Sequence, residues 1–129
     1  MYKKSLPGLI VFLLFAYISS KIIIPVEIVA VHDDVLLVRH FPFLKNRQIA
    51  WWEANKKWLK EKYGVPHIQS DGYYNVFIQN FGEGYQPDHG TDEDSDLLCF
   101  NDMVFSSHCI KKDPLLWIGW SKNSGQFYR

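Results

Sequence analysis

The feature that constrains this chain most is at its amino terminus. After Met1-Tyr2-Lys3-Lys4-Ser5 the sequence turns apolar, and Leu6 to Ile18 is thirteen residues without a charge. Ser19, Ser20 and Lys21 interrupt, Ile22-Ile23-Ile24 resumes, and Pro25 stops any helix. Counted from Leu6 to Ile24, a helix of this stretch is roughly 28 Å long, about one hydrocarbon core. Lys21 lies near the far end, where its long side chain reaches the headgroups. A cleaved signal peptide is the competing reading, and a short buried core helix is a third. A cut after Ser20 would require a small residue where bulky Ile18 stands. An uncleaved signal anchor over residues 6–24 is therefore expected. No cysteine precedes Cys99, which excludes a lipoprotein anchor. Lys3 and Lys4 favour an amino terminus inside. The expectation is a single-pass membrane protein with residues 1–24 as cytoplasmic tip and anchor and residues 25–129 outside, which is the periplasm, and the anchor's membrane the inner one, if the source is a Gram-negative bacterium.

The remaining residues suffice for one domain. Lys+Arg and Asp+Glu are 14 each, so bulk charge does not drive nucleic-acid binding. At 47% hydrophobic and 22% charged, the chain is not intrinsically disordered. Five Trp, seven Tyr and nine Phe are enough to build a small core and leave some aromatics for a partner.

The pattern reads as α+β: a small antiparallel sheet with one amphipathic helix packed on it. Residues 26–31 and 35–38 are β-branched runs around Asp33-Asp34, the signature of a hairpin. Asn46 is a candidate cap for a helix running to Tyr63, with Gly64 at its end and Pro66 beyond. At 100° per residue, Trp51, Trp52, Asn55, Trp58, Leu59 and Tyr63 share one arc, and Glu53, Lys56, Lys57, Lys60 and Glu61 fall on the other. Glu53 and Lys57 are an i,i+4 pair. Tyr73 to Phe81 alternates as a strand, with Tyr74, Val76 and Ile78 on one side. Residues 83–96 read as an acidic loop. Residues 97–100 and 115–120 are further strands, and after a turn at 121–125 a short last strand covers 126–128.

The chemistry-bearing residues are sparse. Cys99 and Cys109 are expected to pair in an oxidising compartment. The loop Asp88 to Asp96 has oxygen ligands but not the EF-hand order, and the five histidines lack metal-ligand spacing. Each histidine is expected at the surface or half-buried. No nucleophile elbow and no phosphate-binding loop is present. Neither a catalytic set, a metal nor a cofactor is expected. Six basic residues and two acidic ones lie between Lys45 and Lys62, against seven acidic and no basic ones between Glu83 and Asp102. Lys56, Lys57 and Lys60 on the helix and Asp92, Glu93, Asp94 and Asp96 in the loop are the candidate partner-binding residues.

Several segments together resemble a known family. They include Phe41-Pro42-Phe43, Trp51-Trp52, the Leu59 to Gly64 run, Phe81-Gly82-Glu83-Gly84-Tyr85, Leu98 to Met103, Cys109-Ile110 and Ser121-Lys122-Asn123. In this order, following the span and Pro25 to His32, the set is similar to the enterobacterial membrane-protein family that carries domain of unknown function 943. The resemblance implies a single amino-terminal span and a small cell-envelope domain. It implies no catalytic residue. The bilayer is the expected partner of residues 6–24. A protein in the envelope is the expected partner of the domain, with immunity-type neutralisation of a secreted toxin as the leading specific role. A structural or regulatory accessory of an envelope complex is the alternative, and an enzyme on cell-wall or lipid substrates a third.

Overall fold

The computed structural model of the chain describes residues 10–14, 25–88 and 96–129. Residues 10–14 are helical, with all five apolar side chains exposed. The rest of the expected anchor, 6–24, lies outside the described residues. Among the described residues, no helix is long and apolar enough to cross a membrane.

The hairpin forms as its β-branched runs require. Strand β1 (Glu27–His32) pairs antiparallel with β2 (Val35–Arg39). Asp33 takes φ 50 at the turn, a conformation that Asp tolerates better than most residues. Helix α1 (Lys45–Tyr63) follows. Its start corrects the expected cap: Leu44 is the N-cap, without a side-chain hydrogen bond, and Asn46 lies inside the first turn. Its end is as read, with Gly64 left-handed and its N–H bonded to the Lys60 carbonyl.

The helix joins β2 to β3 (Tyr74–Asn80), and these two strands are parallel, in register from Val35↔Phe77 to Val38↔Asn80. A parallel pair needs a long crossover, and the helix supplies it. The single antiparallel sheet expected from the pattern is therefore a mixed one. With β7 (Pro114–Ser121) and β8 (Gly125–Tyr128) it has the order β1-β2-β3-β7-β8. A second sheet was not foreseen. It consists of β4 (Gln86–Pro87), β5 (Leu97–Cys99) and β6 (Ser107–Lys111) in the order β4-β6-β5. Residues 86–87 of the expected acidic loop are thus a short strand, and its residues 89–95 lie outside the described ones.

The large sheet is covered on both faces at β2, where Leu36, Leu37 and Val38 are all fully buried. On one face Trp52 and Leu59 of α1 pack with Leu36, Val38, Val76, Ile78, Leu116 and Ile118. On the other, Leu37 packs with Phe81, Phe100 and Ile110 beneath the small sheet. An apolar run covered on both sides follows the rule for interior strands.

Candidate functional site

A polar cluster built on a buried histidine sits where the small sheet meets β1. A bulge between Ile28 and Ala30 places Val29 and Ala30 together on the small-sheet side and returns Val31 to the helix side. The next residue, His32, therefore points under the small sheet. Strict alternation from Val26 and Ile28 would have placed it on the helix side. The imidazole is 9% exposed, which corrects the expected surface or half-buried position. It stacks on Phe100 with ring centroids 4.0 Å apart.

Both ring nitrogens of His32 are engaged. Nδ1 lies 2.8 and 3.0 Å from the two carboxylate oxygens of Asp102, and Nε2 lies 2.8 Å from the Tyr85 hydroxyl. An ionised carboxylate only accepts, so Nδ1 carries a proton toward Asp102. Burial, and then the Asp102 charge, push the Tyr85 phenol up, and in a neutral ring with its proton on Nδ1, Nε2 accepts a hydrogen bond from the Tyr85 hydroxyl. The chain of bonds runs Tyr85 to His32 to Asp102. It looks like a proton relay, but no ring nitrogen is left for a substrate. A cleft of about 340 Å³ beside it is lined by His32, Asp33, Asp34, Asn101 and Asp102 among others. The arrangement clips the β4–β6–β5 sheet to the main one.

Cys99 and Cys109 are joined in a disulfide and face each other directly in the β5–β6 register. Asp88 and His108 lie near the two sulfurs, but sulfurs bonded to each other offer no thiolate to a metal.

Of the expected partner-binding residues, Lys56, Lys57, Lys60 and Asp96 are described. Lys56 reaches Glu53 at 2.7 Å, so the ion pair is i,i+3 with Lys56 and not i,i+4 with Lys57. Tyr128 also donates to Glu53. The Lys56 and Tyr128 hydrogen bonds hold the Glu53 carboxyl below its usual range. Burial, and then Glu53, push the Tyr128 phenol up to about 12. Lys60 donates to the Pro66 carbonyl, while Lys57 is exposed. The three lysines line a cleft of about 290 Å³ with Pro66, Ile68 and Tyr74. Asp96 is exposed, its carbonyl accepting from the Lys112 N–H. Asp92, Glu93 and Asp94 lie outside the described residues.

A site the sequence reading missed lies on the β3–β7–β8 half of the sheet. There the face opposite α1 carries Phe77, Trp117 and Phe127, and none of the three belongs to either core cluster. Phe77 and Trp117 stack at 5.7 Å, and Trp117 meets Phe127 edge-on at 5.1 Å. The Arg129 guanidinium lies over both of the latter rings. Asn75 accepts a hydrogen bond from the Trp117 indole N–H at 2.9 Å and so fixes the ring. Gly119 makes room for the ladder, since a Cβ there would stand 2.4 Å from the Phe127 ring. Phe77 is 37% exposed. The only available signal was the alternation of β3 and β7, which puts Phe77 and Trp117 on the side away from Val76 and Ile118 without saying what covers it.

The fold and these sites define a small two-sheet α+β domain with clipped layers and an aromatic face on which Phe77 is exposed and Trp117 and Phe127 are half-buried. The chain belongs to the family described as enterobacterial putative membrane protein, DUF943, whose model matches residues 2–129. No curated protein and no solved structure matches it.

Proposed function

We propose that this chain is an inner-membrane-anchored envelope protein whose periplasmic domain binds a protein partner through the Phe77–Trp117–Phe127 face. The observation that carries this reading is the aromatic ladder left outside both cores. Exposed contiguous apolar surface marks interaction sites, and Trp, Tyr and Arg are the side chains that dominate binding energy. The ladder ends at β8, an edge strand of the sheet, so a partner segment can add to the edge while its side chains meet the rings. Lys56, Lys57, Lys60 and the acidic loop act at longer range, on encounter rate.

The specific role we favour is immunity-type: capture and neutralisation of a secreted toxin entering the envelope. It rests on the size and placement of the domain. A toxin gene beside this one favours neutralisation, and a neighbouring transporter or polymer-synthesis operon favours an accessory of an envelope complex.

The test is photo-crosslinking in living cells. A photoreactive amino acid replaces Phe77 in one strain and Lys57 in another. A discrete protein adduct at position 77, stronger than at 57, is expected. Adducts only at 57 would move the binding site to the helix. No protein adduct at either position would overturn the binding reading.

A further inference from the structure

We propose that one flank of α1 rests on the phospholipid headgroup layer and fixes the domain's orientation on the membrane. The flank is written in the helix period. Arg47, Trp51, Trp58 and Lys62 are spaced by 4, 7 and 4 residues, which puts them within about 60° of one another. This stripe borders the core stripe, with Trp51 half-buried against the core cluster and Trp58 exposed. The fully buried Trp52 and Leu59 lie about 100° away around the helix.

Trp58 is 45% exposed, and its ring is held edge-on to Tyr63 with the Lys62 ammonium 5.1 Å from its centre. Just before the helix, Phe43 is 96% exposed and Leu44 53%. Large aromatics at the water boundary, with Lys and Arg among them, are the composition of the interfacial belt of membrane proteins. Of the acidic residues of the helix, Glu53 lies on the far side, while Glu61 lies about 40° beyond the stripe's edge.

The occupant follows from where the chain enters the domain. Pro25 and Val26 line one cleft with Arg47, Trp51 and Asn55. Val26 and Ile28 line the adjoining cleft with Trp51, Trp58 and Lys62. Pro25 is one peptide link, about 3.8 Å, beyond Ile24, the last residue of the apolar stretch. If that stretch spans, Pro25 stands at the headgroups, and the stripe beside it has no room to stand off. Anionic phospholipid complements Arg47 and Lys62, and each cation near such a surface strengthens attachment by about fivefold. The proposal rests on residues 6–24 being the anchor, and not on the protein-partner reading.

The test uses the full chain in vesicles of phosphatidylcholine and phosphatidylglycerol whose acyl chains are brominated near the headgroup. Bromine quenches tryptophan at short range. All five tryptophans lie at position 51 or later, so the anchor contributes no signal. Wild-type emission is expected to be quenched. Trp58→Phe should lose about half of that quenching, and Trp51→Phe/Trp58→Phe nearly all of it, whereas Trp117→Phe should keep it. Circular dichroism verifies folding, and the conservative exposed change Trp58→Phe carries the test if the double variant misfolds. Arg47→Glu/Lys62→Glu should weaken quenching severalfold. A chain retained through alkaline extraction yet unquenched would overturn the docking face alone. A chain released by that extraction would overturn the anchor and the docking face together. Quenching that survives Trp58→Phe in full but falls with Trp117→Phe would place the opposite surface on the bilayer. A protein crosslink at position 58 without lipid quenching would assign the flank to a protein.

Discussion

The indole of Trp52 is 1% exposed, and its Nε1 is buried without a hydrogen-bond partner. Burying the ring stabilises the domain, and the orphaned donor costs part of that gain. Trp52→Ala should cost about 3–5 kcal/mol and Leu59→Ala about 2–5 kcal/mol. Trp52→Phe should lose less than half as much as alanine, because a phenyl ring keeps most of the contact and removes the unsatisfied donor. Lys57→Ala should stay within about 0.5 kcal/mol. Urea unfolding of the four variants measures all of this, and equal losses at positions 52 and 57 would refute the helix orientation. Trp52 and Leu59 were legible from periodicity alone. The half-exposed Trp58, on the same predicted arc, was not. A single helix on a sheet buries only a narrow stripe, and the packing against β2, β3 and β7 leaves that flank uncovered.

At the scale of elements, one extra residue in β1 decides where the polar cluster lies. The bulge beside Ile28 turns His32 toward Asp102 and Tyr85, and nothing in an apolar β-branched run announces a bulge. The small sheet was legible only at β5, expected over 97–100, whereas β4 is two residues long and β6 (Ser107–Lys111) carries no long apolar alternation. Its two fastenings are the disulfide and the His32 clip. Closing the short Cys99–Cys109 loop is worth about 2–3 kcal/mol in the chain-entropy model. The Asp102 bond is worth about 1–2 kcal/mol, less than a fully buried charged bond because the carboxylate is 54% exposed. Cys99→Ser and Asp102→Asn should therefore each speed hydrogen exchange in β6, the disulfide variant more, while the β3–β7 amides stay protected. Unchanged β6 exchange in Asp102→Asn would show that the clip does not hold the layer.

Across the whole molecule, the five-strand order sets a direction. β1 and β8 are the two edges, about 19 Å apart at the usual strand spacing. The chain enters at β1 beside the Trp51–Trp58 flank, while the aromatic ladder ends at β8. On the proposed readings, the first edge faces the bilayer and the second faces a partner. Disulfides form and persist in oxidising compartments, which is what the proposed periplasmic placement would supply. A carboxy-terminal alkaline phosphatase fusion should be active, and an ordinary cytosolic fluorescent protein fusion dark. The reverse pattern would overturn the orientation. Membrane-bound protein of unprocessed mass is expected, whereas a soluble form shorter by about twenty residues would mean a cleaved signal peptide.

By itself the sequence determined the main hairpin, the helix and its glycine stop, β3, β7 and β8, the pairing of the two cysteines, and membership of a membrane-protein family. Each is a local or compositional signal: a period of 2 or 3.6, a turn residue, two cysteines in one short segment, a run of motifs in order. Tertiary structure alone decided the parallel β2–β3 pairing, the second sheet, the burial of His32 between Asp102 and Tyr85, and the placement of the Phe77–Trp117–Phe127 face outside both cores. Those depend on which apolar surfaces meet. One strand shows the same alternation whether its second face is covered or bare, and only the packing of distant segments separates the two.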